Sequence, residues 1–452
     1  MEEETSYVAH VVVLPYQGQG HMNPMLQFSK RLAFKGLKVT VATTLSITKT
    51  MQAQVGSVMI ESIYDDSNET GGFKERVEKL EASGSKNLTD LIKKHEGSRY
   101  PVKCLVYDAN LGWPLNVAKQ LGIAKAAFFT QSCSANGTYY LMQQEISGKL
   151  PSGPTVLMSG LQTQGLHKLP TFGLASGGIS PILRHIFSQL SGPEEADWVL
   201  FNSFDSLEEE VVNWMAKIWS VKTIGPTVPS MYLDKKVEGD INYGFNIVRP
   251  KDDDVCMKWL DTKEPGSVVY VSFGSAAALK EEQMEELAMA LMQNKSSFLW
   301  VVRASEEKKL PSKFLEEITS NKGLVVKWCP QLEVLAHNSV GCFLTHCGWN
   351  STMEALSFGV PMVIMPQFLD QFTNAKFVED IWGTGIRPKV DEKGIVRKED
   401  LDLCIRDVME GERGKEIKRN AAKWKKLAKD AVDEGGSSDK NINEIVARLK
   451  SM

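Results

Sequence analysis

The chain has 452 residues, 42% of them apolar and 24% charged, ordinary usage for a globular protein at a length that favours two or three domains over one. Lys plus Arg total 52 against 56 for Asp plus Glu, and the net charge of -4 offers no field that would attract nucleic acid or an anionic membrane; small molecules are the expected partners. The seven cysteines (Cys104, Cys133, Cys256, Cys329, Cys342, Cys347 and Cys404) are scattered, without the paired spacing of a disulfide framework or a zinc site, and fit a reducing compartment.

No apolar run reaches the roughly 18 residues that would span a bilayer. The N-terminus, MEEETSYVAH, opens acidic where a signal peptide would be basic, so VAHVVVLPY reads as a buried strand and the expected location is cytoplasmic. Val11 to Leu14 end at YQGQG, after which Met25, Phe28 and Leu32 recur at helical spacing until Gly36, and the apolar run LKVTVATT follows. Strand, Gly turn, helix and strand in about 35 residues form a βαβ unit, the opening of a parallel sheet with helices on its faces. The pattern returns at KCLVYD with the helical stretch WPLNVAKQLG, and again at AKAAFFT.

Residues 226–254 mix Pro, Gly and charge with neither period and read as the link between domains. Beyond them GSVVYVSFGS, SFLWVVR, GLVVKW, GCFLTH and VPMVIMP are five short apolar runs separated by helical segments such as EEQMEELAMALMQ. KKLAKDAVDEGGSSDKN is then a charged helix and a loop, before an amphipathic tail through Ile445 and Leu449. The expected architecture is α/β, two doubly wound, Rossmann-like domains facing across a cleft. The domain boundaries are set at 1–228, a linker at 229–252, 253–435, and a last helix, 436–452, that packs back on the first domain.

The residues THCGWNS (345–351) leave an apolar strand, turn at Gly348 and enter a helix at Ser351. Backbone N–H groups and hydroxyls therefore face outward at the positive end of a helix, at the carboxyl end of a strand, where phosphate is well received. Ser351 with Glu354 also reads as a bare capping box, S-x-x-E. Trp328, closing the strand GLVVKW, is either a core aromatic or a platform for a base.

The whole stretch from Trp328 to Gln371 resembles the signature box of the plant family-1 UDP-sugar glycosyltransferases. The match covers Trp328, Pro330, Gln331, His337, the run His346 to Ser351, Glu354, Gly359, Val360, Pro361, Pro366, Asp370 and Gln371. The resemblance implies a GT-B fold, with UDP-glucose as donor in the C-terminal half. Trp328 would stack on uracil, Cys329 would meet the base through its backbone, and Gln331 and Glu354 would hold the ribose. His346, Asn350 and Ser351 would hold the diphosphate with Gly348, Trp349 would shape the turn, and Ser275 of SFGS would reach a phosphate. Asp370 and Gln371 would grip the sugar, the terminal Gln pointing to glucose. Phe368 and Leu369 depart from the family's usual Trp followed by Ser or Thr, which bears on sugar selectivity.

Sugar transfer to a hydroxyl needs a base for the acceptor proton. His21 follows the Gly turn after the first strand and Asp108 ends the strand CLVYD, so both are expected at one rim of a parallel sheet. A carboxylate on one ring nitrogen fixes the tautomer and steadies the imidazolium, which makes His21 the base and Asp108 its orienter. The plain alternatives are a helix-terminal His and an N-cap Asp; the resemblance favours the catalytic pair. It also assigns the donor side Gly20, in the turn before His21, and Thr130 of FFTQ, a position that touches the sugar in relatives. The expected reaction inverts the α-linked donor to a β-glucoside on a lipophilic phenolic, steroid or triterpenoid, with a glucose ester of a small carboxylic acid or a non-catalytic UDP-sugar-binding relative as alternatives.

Candidate acceptor walls are Met25, Phe129, Tyr139, Tyr140, Leu169, Phe172, Ile182, Ile186 and Phe187, each of which also suits a core. Gly18-Gln19-Gly20 lacks the third Gly of a dinucleotide fingerprint, which disfavours a nicotinamide enzyme, and no G-x-S-x-G elbow of a hydrolase occurs. Asp252 to Asp254 read as a solvated charge run. No metal and no cofactor beyond the donor substrate are expected, and the protein is expected to be a monomer.

Overall fold

A computed structural model describes residues 6–51, 54–65, 73–149, 174–175, 178–244, 254–319 and 321–452. The described residues up to 244, with those from Asp430 onward, form one compact unit, and those from Asp254 to Lys429 form a second.

The first unit is built on strands β1 (His10–Leu14), β2 (Lys38–Thr44), β3 (Gln54–Val55), β4 (Val58–Tyr64), β5 (Val102–Asp108) and β6 (Ala124–Phe129). A small antiparallel pair, β7 (Leu174–Ala175) and β8 (Gly178–Ile179), is followed by β9 (Trp198–Phe201) and β10 (Val221–Thr223). The sheet runs β10-β9-β6-β5-β1-β2-β4-β3 and is parallel except for the β3–β4 edge. The chain steps from β1 towards one edge, then returns to place β5 on the other side of β1. The crevice outside the carboxyl ends of β1 and β5 is thus a topological switch point, where open α/β sheets bind ligands.

Side chains alternate across a strand, and β1 is buried along its whole length. Val11 and Val13 enter a core with Met22, Met25, Leu26 and Phe28 of the helix Gln19–Phe34, and with Ile442, Ile445 and Leu449 of the terminal helix Ser437–Ser451. Burying Lys30 and Arg31 on the first helix requires partners, and these come from the segment read as interdomain link. Arg31 pairs with Asp234 through both terminal guanidinium nitrogens, and Lys30 Nζ lies 2.8 Å from Asp240. Residues 230–244 are therefore part of the first unit, and the rest of the expected linker, up to Asp252, lies outside the described residues.

In the second unit β11 (Val268–Ser272), β12 (Ser297–Val301), β13 (Gly323–Val326), β14 (Val340–Thr345), β15 (Met362–Ile364) and β16 (Gly385–Ile386) form a parallel sheet in the order β13-β12-β11-β14-β15-β16. Its switch point lies between β11 and β14. One face packs Val269, Val271, Cys342 and Leu344 against the helices Glu281–Gln293 and Lys398–Glu410. On the other, Tyr270 and Phe343, register partners, stack at 4.8 Å.

Candidate active site

At the switch point of the first unit, Gly18 in extended conformation precedes the helix Gln19–Phe34, and His21 stands in its first turn. Asp108 closes β5 and is fully buried. His21 Nδ1 lies 2.8 Å from Asp108 Oδ2 and 3.1 Å from Thr130 Oγ1, just beyond β6. The other carboxylate oxygen, Oδ1, accepts the backbone N–H of Asn110 and its side-chain Nδ2, each at 2.9 Å. Asp108 is thus not an N-cap; the helix Pro114–Leu121 starts after Trp113. Burial raises the Asp108 pKa, but the charge and hydrogen bond of His21 and the two Asn110 donors outweigh it and hold the carboxyl below its ordinary value. An ionised Asp108 favours the tautomer of His21 that carries its proton on Nδ1. His185, half-buried on the helix Pro181–Ser188, couples to the same pair; burial lowers its pKa, Asp108 raises it and His21 lowers it, for a net fall.

Of the expected acceptor walls, Met25 is fully buried in the core of the first unit, and Phe129 stacks on Phe201 at 4.9 Å and on Trp219 at 6.2 Å. Tyr139, Ile186 and Phe187 are buried, and Ile182 is exposed. Tyr140 packs edge-on against Trp214 and Trp219. Leu169 and Phe172 lie outside the described residues, and Gly20 is exposed beside His21.

In the second unit the helix Trp349–Phe358 follows β14 with Gly348 as N-cap and no side-chain cap. Ser351 is the third helical residue, so the capping-box alternative is not realised, and the positive end of the helix faces the turn. The turn is forced into shape: Cys347 has φ of 61° and Gly274, after β11, has φ of 68°, conformations that strain most side chains and concentrate at functional sites. His346 is wedged between the two glycines. A Cβ at Gly274 would stand 2.7 Å from its Cε1, and one at Gly348 2.6 Å from its Nε2. Burial first, then the charge of Arg303, push the His346 pKa down to about 4 against a backbone hydrogen bond with Ser272, so the ring is neutral at pH 7. Arg303, at the end of β12, also ties down the carbonyls of Ser275 and Ala277, leaving Ser275 exposed.

Trp328 stands half-buried just past β13 and takes no part in the second core. Gln331 Nε2 donates to Glu354 Oε2 at 2.6 Å and to Ser351 Oγ at 3.0 Å, while Gln331 Oε1 accepts from the Tyr270 hydroxyl at 2.9 Å. The Cys329 thiol is buried 3.2 Å from the same hydroxyl. Trp349 is buried against Trp382, which continues to Trp424, and supports the turn from below. Asp370 accepts from Asn374 Nδ2 at 2.8 Å, and that nitrogen also reaches the Cys347 carbonyl at 3.0 Å. Gln371 Oε1 takes the backbone N–H groups of Gln367 and Phe368, bracing a loop in which Leu369 has φ of 53°. Tyr270, Arg303, Asn374, Asn110 and Gln189 were not singled out from sequence. Asp108 at the strand end is a recognisable Asx-turn signal, its carboxylate accepting the backbone N–H of Asn110 two residues on, and Arg303 follows an apolar strand; the others have no local signature.

Residues 209–433 match the family described as "UDP-glucoronosyl and UDP-glucosyl transferase". The chain is 48% identical over 450 residues to a mogroside I-E synthase of Siraitia grosvenorii, covering 98% of each. It is 44% identical over 448 residues to a flavonol 7-O-beta-glucosyltransferase of Arabidopsis thaliana, again with 98% of each covered. Among solved structures, Os79 from O. sativa in complex with UDP matches with a TM-score of 0.85 at 38% identity, covering 97% of this chain and 100% of that one. Two doubly wound α/β units with these sites define a GT-B glycosyltransferase. The chain belongs to the plant family-1 UDP-glycosyltransferases.

Proposed function

We propose that this protein transfers glucose from UDP-glucose to a hydroxyl of a lipophilic small molecule with inversion at the anomeric carbon. The observation that carries the reading is the His21–Asp108 pair, a buried carboxylate 2.8 Å from one imidazole nitrogen. His21 Nε2 takes the acceptor O–H proton as the oxygen bonds to the anomeric carbon; the bond from that carbon to the diphosphate oxygen breaks, and UDP leaves with the electron pair. Asp108 steadies the imidazolium.

Donor binding falls to the second unit. The positive end of the helix Trp349–Phe358, with Gly348, Asn350, Ser351 and the neutral ring of His346, would receive the diphosphate charge, and no metal ion enters the proposed reaction. Trp328 would stack on uracil beside Cys329, Gln331 and Glu354 would take the ribose, and Asp370 and Gln371 the glucose. Ser275, Thr130 and Gly20 complete the proposed donor contacts. The bound UDP of Os79 and the names of the glucosyltransferase relatives support this assignment. Residues 1–228 would take the acceptor and 253–435 the donor. The burial of Ile442, Ile445 and Leu449 in the first core supports residues 436–452 as an addition to that domain.

Incubating the full chain with UDP-glucose, chelator and a panel of phenols, triterpenols, steroids and aromatic acids tests the reading. Products heavier by one hexose, detected by mass spectrometry, are expected. UDP binding without transfer from any UDP-sugar would contradict it.

A further inference from the structure

A second layer of side chains stands behind the His21–Asp108 pair. Gln189 follows the helix Pro181–Ser188, is buried, and donates from Nε2 to Asn110 Oδ1. Asn110 Nδ2 then faces Asp108 Oδ1 at 2.9 Å and His21 Nδ1 at 3.4 Å. With Asp108 ionised, only this orientation of the Asn110 amide avoids setting its oxygen against the carboxylate, and Gln189 supplies the donor that the outward oxygen then needs.

We propose that Asn110 and Gln189 are positioning residues for the transfer reaction: Gln189 fixes the orientation of the Asn110 amide, and Asn110 holds Asp108 aligned on His21. This rests on the reading of His21 as the general base. Asn110 supplies two of the donors that keep the fully buried Asp108 ionised, its own N–H and its amide. A buried carboxylate deprived of such donors carries a desolvation penalty and turns towards those that remain, among them the Tyr16 N–H already 3.3 Å from Oδ2. The Asn110 NH2 group also brings partial positive charge beside His21 Nδ1 and so disfavours the imidazolium. Among the described residues of the first unit, the charged and titratable groups around His21 include Asp108 from β5, Tyr16 from the turn after β1, its ring edge-on at 5.2 Å, and His185 from the helix Pro181–Ser188.

The test is the pH dependence of kcat and of kcat/KM, with KM for UDP-glucose, for full-length Asn110→Ala, Gln189→Met and Gln189→Glu, with His185→Gln and His21→Ala alongside. Loss of alignment should lower kcat roughly ten-fold with KM for UDP-glucose little changed, and the acid limb of kcat/KM should move to higher pH. Gln189→Glu, equal in size but unable to donate when ionised, should lose at least as much as Gln189→Met. Calorimetric titration with UDP shows that each variant retains its donor site, and the isosteric Gln189→Glu decides if the others fail to fold. The shift should persist in the His185→Gln background; if it vanishes there, the inference is wrong. Wild-type kcat and acid limb in the Asn110 and Gln189 variants, with His21→Ala inactive, would overturn this inference alone. An active His21→Ala would overturn the reading beneath it.

Discussion

His21 and Asp108 are 87 residues apart in the chain and 2.8 Å apart in space, and the full burial of the carboxylate gives that contact its chemical meaning. In water an Asp–His pair is screened and mobile; here the same bond fixes a tautomer. Asp108→Asn keeps the shape and removes the charge, so turnover should fall by on the order of 10² or more while UDP affinity, measured by calorimetry, stays at the wild-type value. Trp328 is half-buried outside the core, so its ring is available for stacking. Trp328→Ala should weaken UDP binding by roughly 1 to 3 kcal/mol, and an unchanged dissociation constant would remove it from the base site. The partners of single residues were only partly legible in sequence. The rim positions of His21 and Asp108 follow from strand ends, whereas the bonding of Gln331 to Glu354 joins two helices through a tertiary contact that no local pattern announces.

At the scale of elements, the turn from β14 into the helix Trp349–Phe358 works because two glycines leave room for one imidazole. Gly348→Ala would place a methyl 2.6 Å from His346 Nε2 and should displace the ring, so UDP binding should weaken at least ten-fold, about 1.4 kcal/mol or more. A second element depends on a buried acid. Glu208 accepts the backbone N–H groups of Cys133 and Ser134 at the start of the helix Cys133–Ile146, and also the hydroxyls of Ser134 and Ser203. Glu208→Ala should cost about 2 to 4 kcal/mol in denaturant unfolding; a change within 0.5 kcal/mol would show that water replaces the carboxylate. Strands such as Val268–Ser272 and Val340–Thr345 were readable as apolar runs because both faces are covered. The two-residue strand Gly385–Ile386 is too short for any period. The segment 230–244 read as a linker because Asp234 and Asp240 resemble solvated charge until Lys30 and Arg31 are seen to need them.

For the molecule as a whole, the first unit carries a buried histidine that sets a lower pH limit. His10 is fully buried, bonded to Thr40 and the Tyr100 carbonyl, and its pKa falls from 6.5 to about 4, through burial first and then the charges of Lys38 and His95. The unfolded chain binds this proton more readily, so its contribution is complete above pH 6.5 and is lost as pH falls towards 4, on the order of 3 kcal/mol in total. Thermal unfolding of the first unit should therefore drop between pH 7 and pH 5, and His10→Gln should flatten that slope; an equal slope would place the titration elsewhere. Among the described residues no helix is long and apolar enough to cross a membrane, and none of the seven cysteines is in a disulfide. The proposed reaction divides the work between the two units, with His21 taking the proton and the second unit the nucleotide. The most direct measurement compares wild type and His21→Ala on one accepted acceptor, reading glucoside formation and UDP affinity in the same preparation. Turnover in His21→Ala should be lower by on the order of 10² to 10⁴ with UDP affinity unchanged; turnover at the wild-type rate would remove His21 from the role of base.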